Sequence, residues 1–419
     1  MARKFRVLIS AYSCSPGKGS EPEVGWQWAL QMARFHEVTV LTRTKNRAAI
    51  VPQLERLRGD QPLPRFVFHE ANPLLLALKK RLRFVKPYYL AWQRSAWQVI
   101  ADLVQEGQYD LLHHITFAAF RYRTAIWNHG LPSIWGPIGG IESIPMSLLP
   151  WRHPGPLLLE LLRNADNSLQ ASCLGGLRRR ARRSQLILAS TREMQRLLLG
   201  LGIEAPLMPT IGLSVEEFPA RELARRNGPL RLLFVGNFLA LKGIDLALEA
   251  LKASGTDARF ILIGDGPFVP AARRLASGLG LGERVRFLGR LPRGVALQAY
   301  PDYDLFLFPS LHDTGGFAVL EALANSLPVI CLATGGPDVA VNDRCGFKIP
   351  LGSRNSVVAG LAQAIRTYDR NRDLLLEHAK ASRQILSREF DWQRKGEQMN
   401  QLYLDLMSKC SRPGPSPAP

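Results

Sequence analysis

No apolar run in this 419-residue chain reaches the roughly 18 to 20 residues that a membrane-spanning helix needs, so a transmembrane span is not expected. The opening "MARKFRVLISAYSC" is basic and then passes into a short β-type run without a small-residue cleavage site, so a cytoplasmic protein is expected. Cysteine is scarce: five residues, at 14, 173, 331, 345 and 410, form no CxxC pair and no His/Cys group. Neither a disulfide framework nor a zinc site is expected. Acidic residues are also in deficit, 35 against 54 Lys and Arg, a formal net charge of +19. The excess is uneven. Residues 1–200 carry 28 basic against 13 acidic side chains, a net +15, and residues 201–419 carry 26 against 22, a net +4. Such a field suits nucleic acid, an anionic membrane or a phosphorylated substrate, with arginine-rich composition as the bland alternative. No nucleic-acid recognition motif accompanies the charge, so nucleic acid is not an expected partner.

What is present is ordinary globular composition, 46% hydrophobic and 21% charged, in a chain long enough for two domains. The first half opens with a strand "FRVLISAYS", a Gly/Pro loop "CSPGKGSEPEVGW", a helix "GWQWALQMARF" and a strand "EVTVLT", which is a βαβ unit. Further strands are expected at "RFVFHE", "YDLLHHIT", "PSIWGPI" and "SQLILAS". Residues 205–230 read as a linker, after which the pattern restarts with "LRLLFVG", "ARFILIGDG", "VRFLG", "DLFLFPS" and "PVICLA" and helices between them. The expected fold is α/β: two doubly wound, Rossmann-like domains facing across a cleft, at residues 1–210 and 229–388. A terminal helix over 389–410 and a disordered Pro/Ser tail over 411–419 complete the chain.

In open α/β sheets, ligands bind at the carboxyl ends of the strands. Those ends are rich in glycine here: "GNFLALKG", "GDGP", "FLGRLP" and "PSLHDTGGFAVLEALA". Lys242 precedes a helix start, where a cation and free N–H groups would hold a phosphate; alone, it is an ordinary surface lysine. Gly315 and Gly316 would expose amides to a diphosphate, and Glu321, farther into the helix, would offer a carboxylate to a diol such as ribose. The plainer readings are an exposed helix glutamate for Glu321 and a helix cap for Asp313.

The order and spacing of these motifs resemble the retaining glycosyltransferases of the two-Rossmann-domain type (GT-B), in glycosyltransferase family 4. The likeness is specific from "GNFLALKG" to "PSLHDTGGFAVLEALA" and looser in "GKGSEPEVGW", "DLLHHITF" and "WGPIGG". It implies that Glu321 holds the donor ribose, that Asp313 stands in place of a glutamate associated with the donor sugar, and that Lys242 binds the diphosphate. Asn237 stands where the family usually has an arginine. Gly17 and Gly19 match the glycine loop that closes on the phosphates, His114 (or its neighbour His113) matches a histidine near the transferred sugar, and Phe317 falls in the donor-binding loop. Lys18 and Arg290 are the candidates to replace the cation missing at 237. The terminal helix is implied to cross back to the first domain.

The reaction implied is transfer of a sugar from a UDP- or GDP-sugar to an acceptor hydroxyl with retention, without a metal or other cofactor, because no Asp-x-Asp cluster stands at a corresponding position. The acceptor implied is a lipid-linked saccharide of surface polysaccharide or glycolipid synthesis. Two basic, apolar segments, with Lys79, Lys80, Arg81 and Arg83 in one and Arg178, Arg179 and Arg180 in the other, suit an acceptor or the anionic inner face of the cytoplasmic membrane. Competing readings are a transferase or epimerase acting on a soluble substrate, and an inactive donor-binding regulatory subunit. The departures at 237 and 313 are the only support for the latter.

Overall fold

The strands form where short β-branched and leucine-rich runs allow both faces to be buried, as parallel sheets require. In the first strand, Val7, Ile9 and Ala11 enter one apolar cluster, and Leu8 and then Tyr12 enter the other. This is the period-two alternation of a strand with a layer on each side. The computed structural model describes residues 4–72, 74, 76, 85–149, 154–172, 174–219 and 227–410.

Six strands make the first sheet: β1 (Arg6–Ala11), β2 (Glu37–Arg43), β3 (Arg65–His69), β4 (Leu111–Thr116), β5 (Ser133–Ile138) and β6 (Leu186–Ala189). Their order is β3-β2-β1-β4-β5-β6, with every neighbouring pair parallel. The second sheet holds β7 (Arg231–Val235), β8 (Arg259–Ile263), β9 (Val285–Gly289), β10 (Leu305–Phe308), β11 (Val329–Leu332) and β12 (Gly346–Ile349). It runs β12-β11-β10-β7-β8-β9, again all parallel. Both sheets therefore reverse strand order beside their first strand, between β1 and β4 and between β7 and β10, and such a switch point opens a crevice at the strand ends. All eleven expected strands fall where the sequence places them. β12 and the two helices Arg354–Arg370 and Arg372–Ile385, all inside the expected second domain, carry no pattern singled out above.

Residues 205–219 are more ordered than a free linker. The Met208 N–H bonds the Ala189 carbonyl, and Leu213 exchanges backbone bonds with Phe390 and Trp392. The helix Trp392–Cys410 then packs on the helix Ser20–Ala33 of the first sheet, so the chain does cross back. Trp28 meets Trp392 edge-to-face, 5.3 Å between centroids. The Tyr403 hydroxyl lies 2.6 Å from His113 Nδ1, and its ring stacks on His36. Each such buried aromatic contributes about 1.5–3 kcal/mol by burial alone. Lys395 is fully buried in this contact, its Nζ donating to the Pro209 carbonyl at 2.5 Å and lying 5.1 Å from the centre of the Trp28 ring.

Candidate active site

The loops after β7 and β10 are neighbours because their strands are paired at the switch point. Gly243, between Lys242 and the helix Ile244–Ser254, has φ +65°, and a Cβ there would stand 2.0 Å from the Pro309 carbonyl oxygen. Only glycine permits this approach. It sets Lys242 against the loop after β10, with Nζ 2.7 Å from Asp313 Oδ2. The other Asp313 oxygen accepts the Gly316 N–H at 2.7 Å, at the start of the helix Phe317–Ala324. The structure thus places the Asp313 carboxylate against the lysine and one of the amides expected to receive a diphosphate. This acid is a counter-ion to Lys242 and an acceptor for the N–H of the residue that opens the helix.

Glu321, one turn into that helix, is buried rather than exposed. Its Oε2 accepts the Tyr300 hydroxyl at 3.1 Å, and its Oε1 lies 2.5 Å from an Arg293 guanidinium nitrogen. Burial pushes the carboxyl upward and Arg293 opposes this. Gly19, Asn237, Lys242, Arg290, Asp313, Phe317 and Glu321 line one cleft of about 630 Å³, whose far wall is the loop Lys18–Ser20 of the first sheet. That volume suits a small-molecule ligand, for which pockets of about 300–1,000 Å³ are usual. In the loop, Gly17, Gly19 and Ser20 all have positive φ, +70°, +60° and +56°. For Ser20 that conformation is costly, and such strain concentrates at ligand-binding positions. Gly17 lines the adjoining cavity.

Three expected residues lie elsewhere. His114 sits inside the first sheet, its Nε2 3.2 Å from the Tyr89 hydroxyl and its Nδ1 3.2 Å from Ser10 Oγ. Burial, with His113 beside it, pushes its pKa down to about 3. It is neutral, has both nitrogens engaged, and is not among the residues lining the cleft, because the β4 register turns it into the layer under Tyr89. His113 is likewise enclosed, between Tyr403 and the Gly136 carbonyl. Gly315 packs against Ile211 instead of lining the cleft. Of the basic residues expected at an acceptor or membrane, Lys79, Lys80, Arg81 and Arg83 lie outside the described residues. Arg178 and Arg179 are exposed, and Arg180 donates to the Arg121 carbonyl.

Several polar groups at this junction were not singled out in the sequence. Glu142, buried after β5, accepts from Thr191 at 2.9 Å and, across the junction, from Thr314 at 3.5 Å. Glu193 accepts the Gly335 N–H at 3.0 Å. Glu21 accepts the Phe117 N–H beside a second cavity of about 260 Å³, floored by Gly139 and Gly140. The glycines of "WGPIGG" were the available signal, and the acid two residues after them is what they shelter. Among the described residues, no three His, Cys, Asp or Glu side chains come together as a metal site would require.

Residues 215–380, less than half of the chain, match the family model described as glycosyl transferases group 1. A putative colanic acid biosynthesis glycosyltransferase, WcaL of Salmonella typhimurium, is 26% identical over 49% of this chain and 52% of its own length. The chain spans about half the length of the curated relatives it matches. Among solved structures, Anabaena Alr3699/HepE in complex with UDP and glucose covers 96% of this chain and 100% of its own, at a TM-score of 0.60 and 16% identity. The lipopolysaccharide outer core galactosyltransferase WaaB overlays on 96% of this chain and 99% of its own, with TM-score 0.60 and 14% identity. At those identities the likeness is one of fold, the two-sheet GT-B architecture.

Proposed function

From a chain that carries the GT-B fold and a group 1 glycosyl transferase segment over residues 215–380, we propose a retaining transferase that moves a sugar from a nucleoside diphosphate to an acceptor hydroxyl. The observation that carries this reading is the joint placement of Lys242, Asp313 and Glu321 around one cleft at the β7/β10 switch point. Glu321 is positioned to accept the ribose diol. Lys242 and the amides at the start of the helix Phe317–Ala324 take the diphosphate, with Asp313 giving up both to the incoming anion and turning to the sugar. As the glycosidic bond breaks, the leaving diphosphate gains negative charge and the sugar becomes oxocarbenium-like. A fixed cation and helix dipole then favour the transition state over the ground state. The leaving phosphate itself would take the acceptor's proton. These groups are sufficient without a metal.

The acceptor we propose is lipid-linked, at an anionic membrane surface. The helix Pro154–Ser172 supports this: Leu158, Leu162 and Leu169 fall on one face at helical spacing, with Leu159 beside them, and all four are more than half exposed. Exposed Arg178 and Arg179 follow on the helix Leu174–Ala181. A relative that is a putative colanic acid biosynthesis glycosyltransferase is consistent with such an acceptor. The test is a thermal-shift series with UDP- and GDP-sugars in buffer containing EDTA, followed by donor hydrolysis and transfer assays. One donor is expected to raise the melting temperature and be turned over, and Glu321→Ala to lose both effects. A wild-type chain that binds a donor but never turns it over would favour a regulatory subunit.

A further inference from the structure

Arg293 was not among the expected site residues, yet it forms the wall between the two cavities at the junction. It lines the donor cleft with Lys242 and Arg290, and the adjoining cavity with Gly17 and Glu217. Its side chain starts from the short helix Arg293–Ala299 after β9 and is about half exposed, 48%. One end of its guanidinium meets Glu321 Oε1 at 2.5 Å. The same nitrogen would stand 3.5 Å from a Cβ placed on Gly19, in the loop of the first sheet. It therefore bridges the ribose-binding carboxylate of one sheet to the phosphate-sized loop of the other.

Two facts make this arrangement incomplete as a resting feature. Neither Glu321 oxygen is open to a diol: Oε2 accepts the Tyr300 hydroxyl, and Oε1 is sealed from solvent against the Arg293 guanidinium. A ribose that donates to Glu321 must displace the guanidinium from Oε1, whereas the buried Tyr300 can stay. The cleft is also short of fixed cations for a diphosphate: Asn237 is neutral, and Lys242 is held by Asp313. Arg290 and Lys18 are exposed at the rim, and among the described residues no ion pair organises them.

Resting on the donor-site reading above, we propose that Arg293 is a donor-responsive latch. As the structure has it, the guanidinium neutralises Glu321. When the ribose takes Glu321, the released guanidinium swings to the diphosphate and supplies the second cation that Asn237 lacks. A guanidinium suits this exchange because its planar fork pairs with carboxylate and phosphate alike. Occupation of the two halves of the donor is thereby coupled: the nucleoside frees the group that holds the phosphates. Gly19, lying against the guanidinium, is placed to follow that movement and bring its loop over the donor.

The test is calorimetric titration of the full chain with UDP and GDP, and with uridine and guanosine, for the wild type, Arg293→Gln and Arg293→Lys. The expected result for the Gln variant is a 10- to 100-fold loss of nucleoside diphosphate affinity, on the order of one charge-assisted hydrogen bond. Nucleoside affinity should be unchanged or higher, because Glu321 is no longer covered. The Lys variant should recover most of the diphosphate affinity. Equal weakening of nucleoside and diphosphate, or no weakening of either, would overturn the latch while leaving the donor site in place. Failure of the folded wild type to bind any of the four would instead overturn the donor site and the latch with it.

Discussion

At the scale of single residues, the pair Lys242 and Asp313 decides how the donor site rests. An acid with one oxygen on a lysine and the other on a helix amide is a built-in anion, and an incoming diphosphate competes with it. Lys242→Ala is expected to weaken nucleoside diphosphate binding by about 10- to 100-fold, the worth of a charge-assisted hydrogen bond. Asp313→Asn should bind the nucleotide as well as the wild type or better, yet turn over more slowly, because the charge facing the sugar is gone. Titration and turnover on the two variants would check the pair, and loss of nucleotide affinity in Asp313→Asn would contradict it. Their positions were legible because glycines and charges cluster at strand ends. Their mutual contact was not, since it depends on β7 and β10 being neighbours although 69 residues separate the end of one from the start of the other. His114 misled for the opposite reason. A histidine on a strand end looks available, but a central parallel strand is covered on both faces, and His113 and His114 are each enclosed by the layer on their own side.

At the scale of elements, the helix Trp392–Cys410 locks onto the first sheet through a buried lysine. Burial pushes Lys395 down to about 7, against about 10.4 in an unfolded chain. Between those values, the unfolded chain holds a proton that the folded one has shed, so this group makes stability rise with pH, by up to about 1.4 kcal/mol per unit. Below about 7 both states are protonated and the full cost of enclosing the ammonium is present. Urea unfolding of the wild type and Lys395→Met between pH 6 and 9 should therefore move in favour of the wild type as pH rises. A difference that does not change with pH would mean that the lysine titrates alike in both states. The helix itself was readable from its period, and its crossing from a resemblance of motifs. Trp392 is on the same helix as Lys395, but nothing in the local sequence indicated that Trp28 and the Pro209 carbonyl, from two distant segments, would complete the enclosure.

For the whole molecule, the asymmetry of charge is +15 over residues 1–200 and +4 over the rest, and the proposed membrane contact is assigned to the more basic half. The leucine face of the helix Pro154–Ser172 adds an apolar component on that same half. The full chain should cosediment with vesicles rich in an anionic phospholipid, less so at high salt. Replacing Leu158, Leu162 and Leu169 with Ser should reduce partitioning on the order of tenfold per leucine. Equal recovery in the supernatant with and without vesicles would remove the membrane from the reading. The doubly wound fold was legible from repeated strand, glycine and helix units, except for β12 and the two helices that follow it. The closure of the two sheets on each other through Glu142, Thr314, Glu193 and Gly335 was not, since single polar residues carry no period.

The crossing helix also fixes an order of events during synthesis. Trp28, His36 and His113 lie within residues 1–120 and are synthesised well before Trp392 and Tyr403, the groups that enclose them. While the second sheet is being translated, the first unit must stand with an aromatic face uncovered. The two units are thus separate in architecture but not in assembly: the earliest helix of the chain waits for the last one described.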